Sequence, residues 1–351
     1  MARSYRNVPA SRAAAHRLRT RSGILQAGLL LAAAGSAPAQ ATGIDSIGFE
    51  YENDMFAGED RYYTSGVRAT WTRSGDYVPL WLQRVANALP LFVRPEERGR
   101  LKYGVGLGQN MYTPEDIEQD PPDPDDRPYA GWLYLNFNLA EDTGNRLDRL
   151  QVSLGIVGPA SLADRTQETV HDLIGSPQPA GWDAQIRNEP TLMLAYERQL
   201  RQRSHRGARG WAADFTPHWG IAAGSPFTFV NAGAIVRAGR NLPRDYGPPR
   251  IGPGLPGSST FQSDTRAGGY LFAGVDSRLM AFDLFLDGPA FRSGPSVDTR
   301  YPLVAEFTAG AVYQFGSTLR VGYTHVLRSR EFSGQATGPA EFGALHATWQ
   351  F

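Results

Sequence analysis

One histidine of this sequence stands in surroundings where it could act as a base. His171 lies in the long stretch 159–190, which lacks the alternation of apolar and polar residues found elsewhere. A neutral imidazole can take a proton from water near neutral pH, and loops carry functional residues more often than scaffolds do. The other histidines beyond residue 41 fall in or beside alternating segments or charged turns, where a polar contact without a catalytic role is expected. They are His205, His218, His325 and His346.

Two short segments carry oxygen-bearing side chains at one predicted hairpin. Residues 51–56 end the first alternating segment and residues 60–66 begin the second. Asn53 and Asp54 offer amide and carboxylate oxygens, which hard cations prefer, although an ordinary polar turn also uses these residues. Strict alternation points Asn53 outward but Asp54 and Thr64 inward. The three side chains therefore converge only if the rim twists or bulges.

Several other chemistries lack their sequence signals. The chain has no cysteine, which excludes thiol catalysis and cysteine-ligated metals. It has neither a Gly-x-Ser-x-Gly elbow nor a His-Glu-x-x-His zinc motif. Seven carboxylates crowd residues 115–126 without the spacing of an EF-hand loop, so a solvated loop is favoured over divalent-ion binding.

The elements that must hold these residues are strands of period two. Ile47, Phe49 and Tyr51 alternate with polar or small residues, and the pattern recurs about a dozen times, ending on the terminal Phe351. Secreted sandwiches also alternate. The number of such segments, the many aromatic and glycine residues and the terminal aromatic favour a transmembrane antiparallel β-barrel of about twelve strands. Beyond residue 41 no apolar run approaches the roughly 18 residues of a membrane helix.

Residues 1–41 are predicted to be a signal peptide. Six arginines and no acid precede the apolar run 24–35, and an Ala-Pro-Ala cleavage pattern follows at 37–39. Residues 42–351 then form the barrel domain. Removal of the signal leaves 29 basic against 35 acidic residues, a net charge of −6, which argues against a nucleic-acid partner.

Three stretches break the strand pattern. Residues 81–92 could form a short apolar helix, interpreted as an interfacial anchor, and residues 242–257 are predicted to be an ordered long turn. In the third, Ser161 is the expected N-cap of a helix that runs to about Ile174 and ends at Gly175. This short helix on an extracellular loop would bring its imidazole to the depth of a lipid ester.

Seven short motifs occur in an ordered set over nearly the whole chain beyond residue 41. They are END at 52–54, YTSG at 63–66, DRPYAG at 126–131, GIVGP at 155–159, HDLIG at 171–175, GWDAQIRN at 181–188 and REFSGQ at 330–335. In these segments the chain resembles the outer-membrane lipid A 3′-O-deacylases. Each motif is weak alone, and the ordered set is specific.

The resemblance implies a twelve-stranded barrel whose active site lies between the outer wall and a loop helix near the extracellular rim. It implies that His171, Asn53 and Thr64 are catalytic and that Asp54 binds Ca2+. The reaction would be hydrolysis of the acyl ester at the 3′ position of lipid A. His171 would be the general base toward water, and calcium would stabilise the oxyanion.

Arg127 and Glu331 are the candidate substrate-binding residues. The family lysine after the third strand has no counterpart, since the single lysine of the chain, Lys102, stands within that strand. An arginine such as Arg127 would have to contact phosphate or sugar in its place.

The expected partners are lipid A or lipopolysaccharide as substrate and the lipids of the cell outer membrane, with the protein as a monomer. Two alternatives stay open. One is an outer-membrane phospholipase, since histidine and calcium suit either ester. The other is a catalytically silent structural or pore barrel.

Overall fold

The computed structural model describes most of the chain beyond the predicted signal peptide. That signal peptide, residues 1–41, lies outside the described residues. The described residues are 44–57, 62–75, 78–92, 99–206, 210–249, 267–336 and 338–351.

Antiparallel strands make up most of this part of the chain. The strands are β1 (Ile44–Asn53), β2 (Tyr62–Ser74), β3 (Arg100–Thr113), β4 (Ala130–Asp142), β5 (Arg146–Val157), β6 (Glu189–Leu200), β7 (Gln202–Arg206), β8 (Trp211–Gly224), β9 (Phe227–Arg240), β10 (Gly268–Asp283), β11 (Leu303–Phe315), β12 (Leu319–Arg328) and β13 (Ala340–Gln350). The α-helices are α1 (Leu80–Ala88), α2 (Ala163–Ile174) and α3 (Leu284–Asp287). Within the described ranges, no helix is long and apolar enough to span a membrane.

The described strands close into a cylinder. Each strand pairs with the next one along the chain, except that β6 pairs with β8 and not with β7, and β13 pairs with β1. The short strand β7 runs beside β8 beyond the end of β6. Twelve strands therefore form the circumference, which confirms the predicted fold class.

The two rims of the barrel differ in what they carry. Ile44 and Phe351 lie at the same end, which is called the terminal rim. The opposite end carries the connections that follow β1, β3 and β5, and it is called the site rim. All the residues predicted to be functional lie near the site rim.

Burial alternates along the strands as the sequence pattern predicts. In β10, Leu271, Val275 and Leu279 are exposed on the outer face, whereas Asp276 and Arg278 are buried in the lumen. An apolar outer face suits the lipid bilayer, and polar side chains can pair with one another inside.

Ion pairs fill the lumen near the terminal rim. Arg237 contacts Asp214 at 2.6 Å and also contacts Asp245, which in turn binds Arg320. Asp245 belongs to the connection between β9 and β10, so this connection enters the lumen. It includes the predicted long turn 242–257, of which residues 242–249 are described.

Apolar rings close the lumen near the site rim. Helix α3 inserts Phe285, which is fully buried and stacks on Tyr112 with 4.0 Å between ring centroids. Between the two closures, a cavity lined in part by Glu52 and Glu306 has room for about one water molecule. Ion pairs, aromatic rings and the connection after β9 thus occupy parts of the described lumen.

Helix α1 lies on the outer wall near the terminal rim. Its residues Leu82 and Ala86 pack in one cluster with Leu101, an outward residue of β3. Trp81 and Leu80 are 64% and 70% exposed on the other side. The helix predicted within 81–92 is confirmed, and its exposed tryptophan is compatible with the interfacial-anchor interpretation.

Candidate active site on the outer wall

A β-bulge at the start of β2 turns Thr64 toward the outer wall. Tyr62 pairs with Thr113 and Ser65 pairs with Met111. Two residues of β2 therefore lie between these pairs, but only one residue of β3, so β2 has one extra residue here. Tyr62 has a φ of 69°, an uncommon value for a residue with a side chain. The hydroxyl of Thr64 lies 2.6 Å from that of Thr113. The extra residue changes the face to which Thr64 belongs.

The neighbours of the bulge show the exchange of faces. Tyr63 packs in the lumen against Tyr112 and Phe342, with ring centroids 5.5 and 5.1 Å away. Thr113 follows Leu107 by six residues on β3, and residues an even number apart share a face of a strand. Leu107 is exposed on the outer face, so Thr113 belongs to the outer face too. The contact between Thr64 and Thr113 is therefore on the outer side. The bulge is the irregularity of the rim that Thr64 needs to lie on the same face as Asn53.

The end of β1 lies directly beside the bulge. Asn53 pairs with Ser65, the residue that follows Thr64. The Oδ1 atom of Asn53 accepts a hydrogen bond from the Met55 amide at 2.8 Å, which orders the chain on both sides of Asp54. Asn53, Asp54 and Thr64 are all buried. Three oxygen-bearing side chains therefore collect at one point of the site rim.

The carboxylate of Asp54 lies near the outward side chains of this hairpin. It lies close enough to the phenol of Tyr51 to interact with it electrostatically. Tyr51 follows the exposed Phe49 by two residues in β1, so both side chains point to the outer face. Strict alternation stops at the end of β1, so it no longer fixes the direction of Asp54.

Helix α2 lies on the outer wall of β3 and β4. Its buried residues Ala163, Gln167 and His171 follow one another at four-residue spacing, so they share one side of the helix. Ala163 packs in a cluster with Met111 and Trp182. The imidazole therefore lies on the side of the helix that faces the barrel.

The ends of α2 agree with the sequence in part. The helix ends at Ile174, and Gly175 follows with a φ of 75°, as the predicted stop signal requires. The predicted cap is wrong, because Ser161 belongs to the 3-10 turn Pro159–Ser161 and Leu162 takes the N-cap position without a side-chain hydrogen bond.

The outer wall has a small residue where α2 begins. A Cβ atom at Gly131 would lie 2.2 Å from both Ala163 Cβ and Ser161 Oγ. Gln109 donates a hydrogen bond to the Ser161 carbonyl at 2.7 Å. Only glycine at position 131 allows this close approach of helix to strand.

The hydrogen bond of His171 fixes which ring nitrogen can act as a base. Nδ1 lies 2.5 Å from the carbonyl oxygen of Pro177. Because a carbonyl oxygen only accepts, Nδ1 carries the hydrogen, and the lone pair of the neutral ring is on Nε2. The loop after α2 thus sets the tautomer that a general base needs.

Strand β3 joins the hairpin to α2. Thr113 contacts Thr64, and Met111, two residues earlier on the same face, packs against Ala163. The structure therefore groups Asn53, Asp54 and Thr64 at the first hairpin and connects this group with the helix that carries His171.

Comparison with known proteins agrees with this architecture. The model of a family described as outer membrane protein LpxR matches residues 25–351. The chain belongs to the LpxR family. Among solved structures, LpxR from Salmonella typhimurium matches with a TM-score of 0.70 and 18% sequence identity, over 87% of this chain and 99% of that chain. A search of the curated proteins gave no match.

Two autotransporter barrels match at lower similarity. The beta domain of the Bordetella autotransporter Brka has a TM-score of 0.43 and 11% identity, over 88% of this chain and 98% of that chain. The transport unit of AIDA-I from Escherichia coli has a TM-score of 0.37 and 9% identity, over 89% and 91%.

Membership of the LpxR family confirms two expectations from the sequence. The chain belongs to the lipid A 3′-O-deacylase family, and it is located in the outer membrane. It is an outer-membrane enzyme that modifies lipid A.

The acidic loop of this LpxR-family chain is organised by its own backbone. Asp126 accepts hydrogen bonds from the amides of Glu115 and Arg127 at 2.7 and 2.6 Å, and Asp116 accepts one from Glu118 at 2.9 Å. Burial raises the pKa of Asp126 despite these hydrogen bonds. The other six carboxylates of the loop are exposed, which agrees with the solvated-loop interpretation of residues 115–126.

The first hairpin has the donor chemistry that calcium prefers. Asp54 offers a carboxylate, Asn53 an amide oxygen and Thr64 a hydroxyl, all oxygen ligands. Among the described residues, no group of three or more His, Asp or Glu side chains could hold a metal. The oxygen types of these three residues fit a calcium ion.

Arg127 and Glu331 form a buried pair with each other. The guanidinium lies 2.6 Å from the carboxylate, and the two side chains are 1% and 4% exposed. Arg127 also lies 5.6 Å from the ring of Tyr112, which faces the lumen. Burial opposes ionisation of Glu331, but the charges of Arg127 and Arg328 hold its pKa below the usual value. Their assignment as substrate contacts stays a prediction.

Sequence reasoning missed the residues that support the site. Thr113 contacts Thr64, and the carbonyl of Pro177 holds His171. Trp182 donates from Nε1 to Gln167 at 2.8 Å, which explains part of the GWDAQIRN motif. Extending the alternation of β3 to Thr113 could have identified one of them, but a backbone carbonyl leaves no signal in the sequence.

Proposed function

We propose that this LpxR-family protein is a calcium-dependent hydrolase that removes the 3′-O-linked acyloxyacyl chain from lipid A in the outer leaflet. The observation that supports it best is the bulge, which brings the Thr64 hydroxyl to the lipid side beside Asn53 and Asp54. Because Thr64 and Asn53 lie on the outer side of the wall, the ester would approach this cluster from the membrane.

His171 would act as the general base. Its Nδ1 hydrogen is held by the Pro177 carbonyl, so Nε2 would accept a proton from water as the water oxygen attacks the ester carbonyl. When the tetrahedral intermediate collapses, the same proton would pass to the departing 3′ oxygen of the sugar. One imidazole would thus serve both halves of the reaction.

The hairpin residues would hold the reacting groups. Asp54 would bind calcium, with Asn53 and Thr64 as neighbours that hydrogen-bond substrate or water. Bound calcium supplies positive charge that offsets the charge developing on the carbonyl oxygen.

Arg127 and Glu331 would support the site from the lumen side of the wall. Their pair joins the connection before β4 to the connection after β12, which flank the hairpin. For either residue to contact substrate, the buried pair would have to separate.

Mass spectrometry of lipid A tests the proposal. Expression of the wild-type chain should remove an acyloxyacyl group when calcium is present, and a chelator should abolish this. A lysophospholipid product would overturn the proposal in favour of a phospholipase. Unchanged lipid with ion conductance in planar bilayers would favour a silent pore barrel.

The proposed monomer should have the mass of one chain in detergent by light scattering.

A further inference from the structure

A second polar cluster lies on the outer wall beyond the first hairpin. His325 on β12 and Glu341 on β13 approach to 3.4 Å between Nε2 and Oε2. The hydroxyl of Tyr323 lies 3.4 Å from Nδ1 of the same ring. Tyr323, His325 and Glu341 are called the outer-wall triad, and none has a role in the proposed hydrolysis.

The triad faces away from the lumen. Its strand neighbours Thr324 and Val326 are buried inside the barrel, whereas the His325 and Glu341 side chains are 35% and 38% exposed. In the described strands, these two are the acidic or basic side chains that face outward in the half of the wall toward the site rim. Charged groups on a lipid-facing wall cost little stability near the membrane interface, where a lipid headgroup would lie.

The register fixes the distance between the triad and the hairpin. His325 pairs with Gly343, and Gly343 pairs with Asn53. Two strand spacings separate His325 from Asn53, which is about 10 Å along the wall. The triad therefore lies within reach of a ligand that occupies the first hairpin.

An aromatic floor connects the two clusters. A Cβ atom at Gly343 would lie 2.5 Å from Phe56 Cβ and 2.8 Å from the Tyr323 hydroxyl, so both groups lie over this glycine. The ring of Phe56 contacts the rings of Tyr51 and Tyr323 edge-on, at 5.8 and 6.2 Å. A flat lipid headgroup could rest on this floor and contact both clusters.

We propose that the outer-wall triad binds the second sugar ring of a glycolipid whose ester lies at the first hairpin. This inference rests on the proposed function. The carboxylate of Glu341 accepts hydrogen bonds from sugar hydroxyls, and the imidazole and phenol can donate or accept them. A headgroup with a single ring would not bridge the two clusters.

Kinetics with two substrates test the triad. His325→Ala and Glu341→Ala should each raise the KM for a two-sugar lipid A about fivefold, the effect of one lost hydrogen bond of about 1 kcal/mol, with kcat unchanged. The KM for a one-sugar lipid with the same ester should not change. Glu341→Gln keeps an acceptor oxygen and should restore part of the loss.

Ser277→Ala is the matched control, because it removes an outward polar side chain from β10, which is not part of either cluster. It should leave both KM values unchanged, and every variant should keep the gel mobility of the folded barrel. An unchanged KM in both triad variants, or an equal rise for both substrates, would overturn the triad.

Binding to lipid A micelles separates the two proposals. If the wild-type enzyme hydrolysed neither substrate, the proposed function would fail by itself. Weaker binding of lipid A micelles by the triad variants than by Ser277→Ala would then still support the triad, and equal binding would overturn it.

Discussion

The polar groups of the lumen and those of the outer wall have different partners. In the lumen, Arg237 and Arg320 share the carboxylate of Asp245, so charges neutralise one another. On the outer wall, the hydrogen bonds of Asn53 and Thr64 go to uncharged groups. A network of paired charges maintains shape, whereas oxygen-bearing side chains collected at a rim can bind a cation and substrate.

This contrast separates stability from activity. Substitutions in the lumen should lower the free energy of unfolding more than they lower turnover. Substitutions at the outer cluster should do the reverse.

The largest effect is expected at His171. His171→Ala removes the general base and should lower the rate of lipid A deacylation about 1000-fold, within the range for lost acid–base catalysis. The matched control is Glu168→Gln, an exposed change on the same helix that should retain activity. Wild-type turnover in a folded His171→Ala barrel would remove this residue from the mechanism.

Asp54→Asn should come next. The amide is a weaker calcium ligand than the carboxylate, so deacylation should fall about 100-fold and depend on higher calcium concentrations. A calcium titration of turnover measures both. Asp116→Asn, in the acidic loop, should leave the calcium dependence unchanged, and equal shifts in the two variants would indicate that Asp54 is not the ligand.

Arg320→Met tests the lumen. It leaves Asp245 with one arginine fewer and should lower the free energy of unfolding by about 3 kcal/mol, as expected when one partner of a buried pair is removed. Urea unfolding in lipid vesicles measures the loss, and deacylation by the folded fraction should match wild type. An Arg320→Met variant that stays stable but loses activity would contradict the expectation that lumen residues maintain stability more than activity.

Gly131→Ala tests the contact between wall and helix. The methyl group would meet Ala163 and Ser161, so α2 must shift and His171 with it. Turnover should fall about tenfold, since small misplacements of a catalytic group reduce rates more than they reduce stability. Full activity in this variant would show that α2 tolerates the shift.

The smallest effect is the pH dependence of Glu331. Its pKa is lowered in the folded protein, so the ionised carboxylate stabilises the fold above the usual carboxyl range, and this contribution is lost as pH falls through the lowered pKa. Wild type should therefore be more stable than Glu331→Gln at neutral pH, and the difference should shrink in acid. Unfolding at several pH values measures it, and a constant difference would contradict the charge pairing.

The barrel itself could be predicted from the sequence because strand alternation does not depend on distant partners. Exposed residues such as Leu271 and buried residues such as Arg278 follow the period of two. The loop helix was also predictable, since Gly175 ends it in the expected conformation.

The details of the site could not be predicted in the same way. The bulge depends on one extra residue near Thr64, and nothing in the sequence marks Tyr62 for a positive φ. Arg127 was expected to contact substrate, but its partner Glu331 lies 204 residues away, so only the folded chain reveals the pair.

Crosslinking across the proposed site tests most directly whether the carboxylate and the imidazole line one cavity. Since the natural chain has no cysteine, Asp54→Cys with His171→Cys gives a unique thiol pair. A short bifunctional maleimide should join these positions in the folded barrel, and lipid A should protect them. The pair Asp54→Cys with Glu168→Cys, on the exposed side of α2, should not become crosslinked. No crosslink between positions 54 and 171 in a correctly folded barrel would contradict a shared site on the outer wall.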